Sequence, residues 1–182
     1  MSNLQPHSLQ YLERTIDGGN SYRIVLRSQI DLVESVVHIA PRVLDDLGND
    51  SPRLISDLDP VQFQLLLKAV ADFDKAGHIM MFEHGPIEAE PPCRVPEAMR
   101  PVRLSLLDGA VASAGSEGVS TAQVTVAVGA EMKTYDFKIS TEPALSVRWE
   151  KQFFKDMGGS SQLAGPLLDA IREFFQAGHL NL

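Results

Sequence analysis

Apolar positions along this chain follow two rhythms, and the clearest helical one begins at Asp59. Asp59 can cap a helix start and Pro60 suits the first helical position, where its missing N–H costs nothing. Phe63, Leu66, Leu67, Val70 and Phe73 then recur three and four apart, which predicts a helix with one broad apolar stripe. Gly77 reads as its left-handed stop, and Ile79-Met80-Met81-Phe82 as a short buried strand beyond it. The same signature returns near the end of the chain. There Pro166 opens, Leu167, Leu168, Ile171, Phe174 and Phe175 form the stripe, and Gly178 closes. Aligning 66–79 with 167–180 gives seven identities in fourteen positions, including a shared Gly-His. His78 and His179 therefore read first as C-terminal caps, whose charged form suits the negative end of a helix dipole, and second as a functional pair.

The remaining segments sort by the same test. Pro6 to Ile16 reads as a short helix with Leu9, Leu12 and Ile16 on one side, followed by a turn at Asp17-Gly18-Gly19-Asn20-Ser21. Tyr22 to Arg27 alternates as a strand. Ser28 and Asp31 resemble a capping box ahead of a helical face made by Ile30, Leu32, Val33, Val36, Val37 and Ile39, ended by Pro41. A further turn of helix is expected over 43–47. Val102, Leu104 and Leu106 alternate with polar neighbours, as do Val124, Val126 and Val128, then Tyr135, Phe137 and Ile139, with a turn over 129–132. These predict an antiparallel meander with one wet face. Thr141-Glu142-Pro143 reads as a helix start with Leu145, Trp149, Phe153 and Met157 four apart, although 144–149 would also extend the sheet.

The predicted class is α+β: an antiparallel sheet with packed helices, built as two related halves. The halves are 1–84 and 102–182, joined by a connector, 85–101, rich in proline and glutamate and free to form one domain together. In this reading Tyr22–Leu26 matches Tyr135–Ile139 and the helices lie on a common sheet about a pseudo-twofold axis, although the strand and helix intervals differ by twelve residues.

Composition changes the picture in one respect. The 182 residues are 44% hydrophobic and 22% charged, as in an ordinary globular protein, but the net charge is −8. Residues 1–92 carry 14 acids against 7 bases and 93–182 carry 10 against 9, so the excess lies in the first half. Such a field disfavours nucleic acid and anionic membranes and suits a basic protein partner. No run approaches the ~20 apolar residues of a membrane span, and no secretory signal is visible at the start. The single cysteine fits a reducing, cytoplasmic setting, so the Asn49-Asp50-Ser51 glycosylation match is discounted.

Candidate chemistry is sparse. Asp45, Asp46, Asp50, Asp57 and Asp59 cluster without the alternate spacing, glycine and closing glutamate of a calcium loop; they read as a solvated face or as an acidic docking patch. Glu83, His84 and Cys93 could ligate or support a thiolate, but they lack metal-site spacing. Gly158, Gly159, Ser160 and Ser161 precede a helix and could hold an anion, or serve only as a stop and a cap. No catalytic residue, metal or cofactor is assigned, and the balance points away from an enzyme. The expected function is a non-catalytic, protein-binding or regulatory protein (an adaptor, a regulatory subunit or an inhibitor of a basic partner). Two alternatives stand beside it: a small-molecule sensor or enzyme using Gly158–Ser161 or the His84/Cys93 loop, and a self-associating structural protein that forms homo-oligomers.

Overall fold

A computed structural model describes residues 4–16, 18–28, 31–39, 47–48, 58–82, 99–107, 119–141, 143–156 and 165–178, without the side chains of 47–48, 78–82 and 99. Its strands are β1 (Gln5–Arg14), β2 (Asn20–Arg27), β3 (Leu32–Ile39), β4 (Leu47–Gly48), β5 (Met99–Leu107), β6 (Val119–Val128), β7 (Glu131–Ser140) and β8 (Ser146–Arg148). The helices are α1 (Pro60–Phe82), α2 (Lys151–Asp156) and α3 (Gly165–Gly178). All eight strands form one antiparallel sheet in the order β4-β3-β2-β1-β5-β6-β7-β8. This confirms an α+β fold.

That order reads the same from either edge. Four strands and a helix run outward from β1, and four strands and then helices run outward from β5. The register repeats as well. Leu9 pairs with Ile24 as Leu104 pairs with Val124, Ile24 with Ser35 as Val124 with Tyr135, and Ile39 with Leu47 as Ile139 with Val147. A shift of 95 residues carries β1 onto β5, and a shift of 100 carries β2, β3 and β4 onto β6, β7 and β8. Even a β-bulge is repeated, between Pro6 and Ser8 in one half and between Pro101 and Arg103 in the other. A bulge is one of the few sites inside a sheet that tolerates a residue without an N–H.

The two-fold relation passes between Leu9 and Leu104, which are Cα partners where β1 meets β5. Only Ser8–Gln10 and Arg103–Ser105 pair there, so the central strands splay apart at both ends. Above this seam α1 and α3 pack on each other, with Ala69, Ala76, Ala170 and Ala177 buried at equivalent positions; such small side chains let two helices approach closely. Each helix also reaches the first strand of the opposite half: α1 lies on β5 and α3 on β1. The core is one continuous cluster drawn from both halves, in which Phe73, Phe137, Phe153 and Phe174 are fully enclosed.

Several local expectations are corrected. Pro6 to Arg14 is strand, not helix, because this segment is a central strand with Leu9 fully buried and Pro6 taken up at the bulge. Ser28 and Asp31 do not cap a helix; they close the β2–β3 turn. Ser28 N–H donates to the Asp31 carbonyl at 2.8 Å and Asp31 N–H donates to Ser28 Oγ at 2.9 Å. The β-branched run after them, stiff at χ1, becomes β3. Helix α1 continues through Gly77 to Phe82, so 79–82 is not a strand and His78 lies within the helix rather than past its end. Thr141 to Pro143 does not start a helix, since the chain first forms β8 and only then the short α2. Residues 99–101, assigned to the connector, belong to β5. The strand match was also misplaced: Tyr22–Leu26 lies in β2, whose equivalent is β6, whereas Tyr135–Ile139 lies in β7, the equivalent of β3.

Other expectations hold. Asp59 caps α1, its Oδ1 accepting the Val61 N–H at 2.8 Å. Gly129 turns β6 into β7 at φ 59°, a conformation that favours glycine. Val124, Val126, Tyr135, Phe137 and Ile139 face the helices, while Thr134, Asp136 and Lys138 face away.

A left-handed stop does not explain the shared glycine, and at Gly178 a close approach does. Neither Gly77 nor Gly178 has a positive φ. A Cβ on Gly178 would lie 2.9 Å from Pro6 Cδ, and one on Gly77 would lie 4.0 Å from Pro101 Cδ. Pro6 and Pro101 are equivalent bulge residues, so in each half a helix glycine is laid against the proline of the other half.

Candidate functional site

Three polar clusters interrupt this apolar frame. The first fills the end of the seam where β1 and β5 part. Asp74 of α1 is buried and accepts hydrogen bonds from Tyr22 Oη at 2.6 Å and Asn20 Nδ2 at 2.7 Å. Arg100 reaches Asn20 Oδ1 at 3.4 Å and lays its guanidinium 3.5 Å from the centre of the Tyr11 ring. Tyr11 meets Tyr22 edge to face, and Tyr22 meets Phe73 likewise. Burial first, and then the Asp74 carboxylate, hold the Tyr22 phenol far above its ordinary range. It stays a donor. The cluster fastens α1 to β2 with charge-assisted hydrogen bonds.

The second cluster lies in the α1–α3 contact. Glu173 of α3 is only 5% exposed, which is unusual for a carboxyl group. Lys68 of α1 reaches over from solvent to its Oε1, while Oε2 is buried with no hydrogen-bond partner. Asp72, one helical turn beyond Lys68 on α1, is the second charged group acting on Glu173. Burial is the largest influence on Glu173; Lys68 opposes it, Asp72 adds to it, and the carboxyl is pushed up to about 7. Asp72 and Glu173 occupy equivalent positions in the two halves, so the carboxyl groups meet across the pseudo-twofold axis.

The third cluster anchors α2. Tyr135 Oη donates to Asp156 Oδ2 at 2.7 Å, Gln152 Nε2 donates to Oδ1 at 2.7 Å, and Lys133 Nζ stands 3.8 Å from Oδ2. The Tyr135 hydrogen bond is the main reason the Asp156 carboxyl lies below its ordinary value. Tyr135 and Phe137 both meet Phe153 edge to face, so this short helix is held by rings beneath and hydrogen bonds at its end.

Asp45, Asp46, Asp50 and Asp57, the glycines and serines at 158–161, and Glu83, His84, Cys93 and His179 lie outside the described residues, as does the side chain of His78. Asp59 is described and is engaged as the α1 cap. Residues that sequence reasoning passed over do meet: Asp74 with Tyr22, and Asp72 with Glu173. The second meeting had a signal, because the aligned helices carry an acid at the same place, on the flank between Ala69 and Ala76 in one and between Ala170 and Ala177 in the other. The first depended on long-range register and had none.

Among the described residues no group of three or more His, Cys, Asp or Glu side chains could hold a metal, and no helix is long and apolar enough to cross a membrane. Among the described residues, large apolar side chains such as Leu32, Met132 and Ile16 are exposed. The chain matches no family model, no curated protein and no solved structure.

Proposed function

We propose that this is a non-catalytic, protein-binding or regulatory protein whose partner presents a basic surface. What supports this reading is how charge is divided between the described residues and the rest of the chain. The described residues contain 12 acids and 13 bases and are nearly neutral, whereas the rest of the chain contains 12 acids and only 3 bases. The whole acidic excess thus belongs to the other residues, chiefly 40–46, 49–57, 83–98 and 108–118. Within the frame, Asp74, Asp156 and Asp59 are each occupied in holding one element to another or capping it. The acids divide evenly, 12 and 12, but the bases that balance them do not, and a concentrated negative charge is what draws in a cationic partner.

The test is affinity capture with the full chain at low and high salt, alongside a variant carrying Asp45→Asn, Asp46→Asn, Asp50→Asn and Asp57→Asn. The expected result is a specific basic protein retained by the wild type, and lost both in the variant and as salt shortens the range of the field. Retention that is unchanged by salt and by the four substitutions, or capture no greater than background, would contradict the proposal.

A further inference from the structure

The carboxyl pair between the helices has no structural use that a neutral pair would not serve better. The contact around it is apolar and tightly built, with Ala69, Val70, Phe73, Ala170, Ile171 and Phe174 all fully or almost fully enclosed. Into it α3 places Glu173, and α1 places both a lysine and a second acid beside it. Two ionised carboxylates cannot hydrogen-bond to each other, since neither has a proton to donate. That leaves Glu173 Oε2 buried and unsatisfied. One proton changes the arrangement, because protonated Glu173 can donate toward Asp72 while its other oxygen still accepts from Lys68.

We infer that Asp72 and Glu173 share a single proton and act as a pH-sensitive latch between α1 and α3, closed when the proton is held and loosened when it is lost.

The charged groups acting on Glu173 are Lys68 and Asp72 from α1, and Lys68 is itself drawn by Asp72 and by Asp169 of α3. Asp169 is also paired with Arg172 at 2.8 Å. Of the strands packed on α3, β1 carries His7, Tyr11, Glu13 and Arg14, and β8 carries Arg148. Lys68 is two-thirds exposed, so water screens its charge and it offsets only part of the repulsion. The sign follows from the direction of the shift. A carboxyl raised in the folded chain from 4.5 to about 7 binds its proton more tightly folded than unfolded. Its contribution to stability is complete below pH 4.5, declines as pH rises, and is gone above about 7. The latch therefore weakens on approach to neutrality, across a range in which ordinary carboxylates are already ionised.

The experiment follows full-length protein between pH 5 and 8 by thermal unfolding and by amide exchange, corrected for intrinsic rates, in α1 and α3. Wild type is expected to lose stability with rising pH, the opening of the helix pair increasing roughly tenfold per pH unit until it levels near 7. Glu173→Gln, neutral and still able to donate, should flatten this dependence and melt above wild type at pH 8. Carboxyl carbon NMR of wild type should place the Glu173 midpoint near neutrality, and Asp72→Asn should move it to lower pH. Wild-type stability unchanged across the range, a Glu173 midpoint in the ordinary carboxylate range, or a Glu173→Gln variant that keeps the wild-type slope would each overturn the latch. Should either variant fail to fold, the wild-type titration decides alone.

Discussion

The two halves solve one packing problem with different residues. In the first, the large ring is on β2 and the small residue on β3, Tyr22 and Ser35; in the second, the equivalent places hold Ala122 on β6 and Tyr135 on β7. Volume has moved from one strand to its neighbour while the register stayed fixed. Each half keeps one buried tyrosine, and each tyrosine ties a helix down by donating to an aspartate, Asp74 on α1 or Asp156 on α2. The comparison separates what the halves share, a bulge proline facing a helix glycine and a filled layer beneath each helix, from what is left free. Which strand fills the layer is free.

The comparison can be tested at paired positions. Phe73 and Phe174 are equivalent and equally enclosed, so Phe73→Ala and Phe174→Ala should each cost about 3–5 kcal/mol in denaturant unfolding. A large inequality between them would mean that the halves do not share the core as described. The tyrosines should differ. Tyr22→Phe removes a donor from an aspartate only 7% exposed and should cost about 1–3 kcal/mol. Tyr135→Phe leaves Asp156 with Gln152, Lys133 and solvent, so its cost should be about 1 kcal/mol or less. The glycines should differ in sign. A methyl on Gly178 would press on the Pro6 ring, so Gly178→Ala should lose roughly 1–2 kcal/mol. Gly77→Ala meets only ordinary contact at 4.0 Å and gains helix propensity, so it should be neutral or stabilising by up to ~1 kcal/mol.

How much of this was legible beforehand depends on the reach of each signal. The apolar stripes of α1 and α3, the Asp59 cap and the alternation in β6 and β7 are local, and the sequence shows them directly. Gln5–Arg14 and Leu32–Ile39 were misread because a few apolar residues at helical spacing cannot be told from a strand whose neighbours lie far along the chain. The repeat was visible only in the helices, where an Ala, Phe and Gly framework survives. In the strands it resides in register and bulge position, which leave little trace in residue identity. Gly77 misled for a related reason: a glycine that ends a helix and one that lies inside a helix facing a proline look alike until the proline is found 24 residues away.

The account rests on interlocking, since each helix is seated on the first strand of the other half. The direct measurement is to cut the chain within the 83–98 connection and follow each half by circular dichroism during thermal unfolding, alone and mixed. Neither half alone should unfold cooperatively as a monomer, and mixing them should restore one cooperative transition. A monomeric half that melts cooperatively by itself, at a temperature independent of its concentration, would contradict the account.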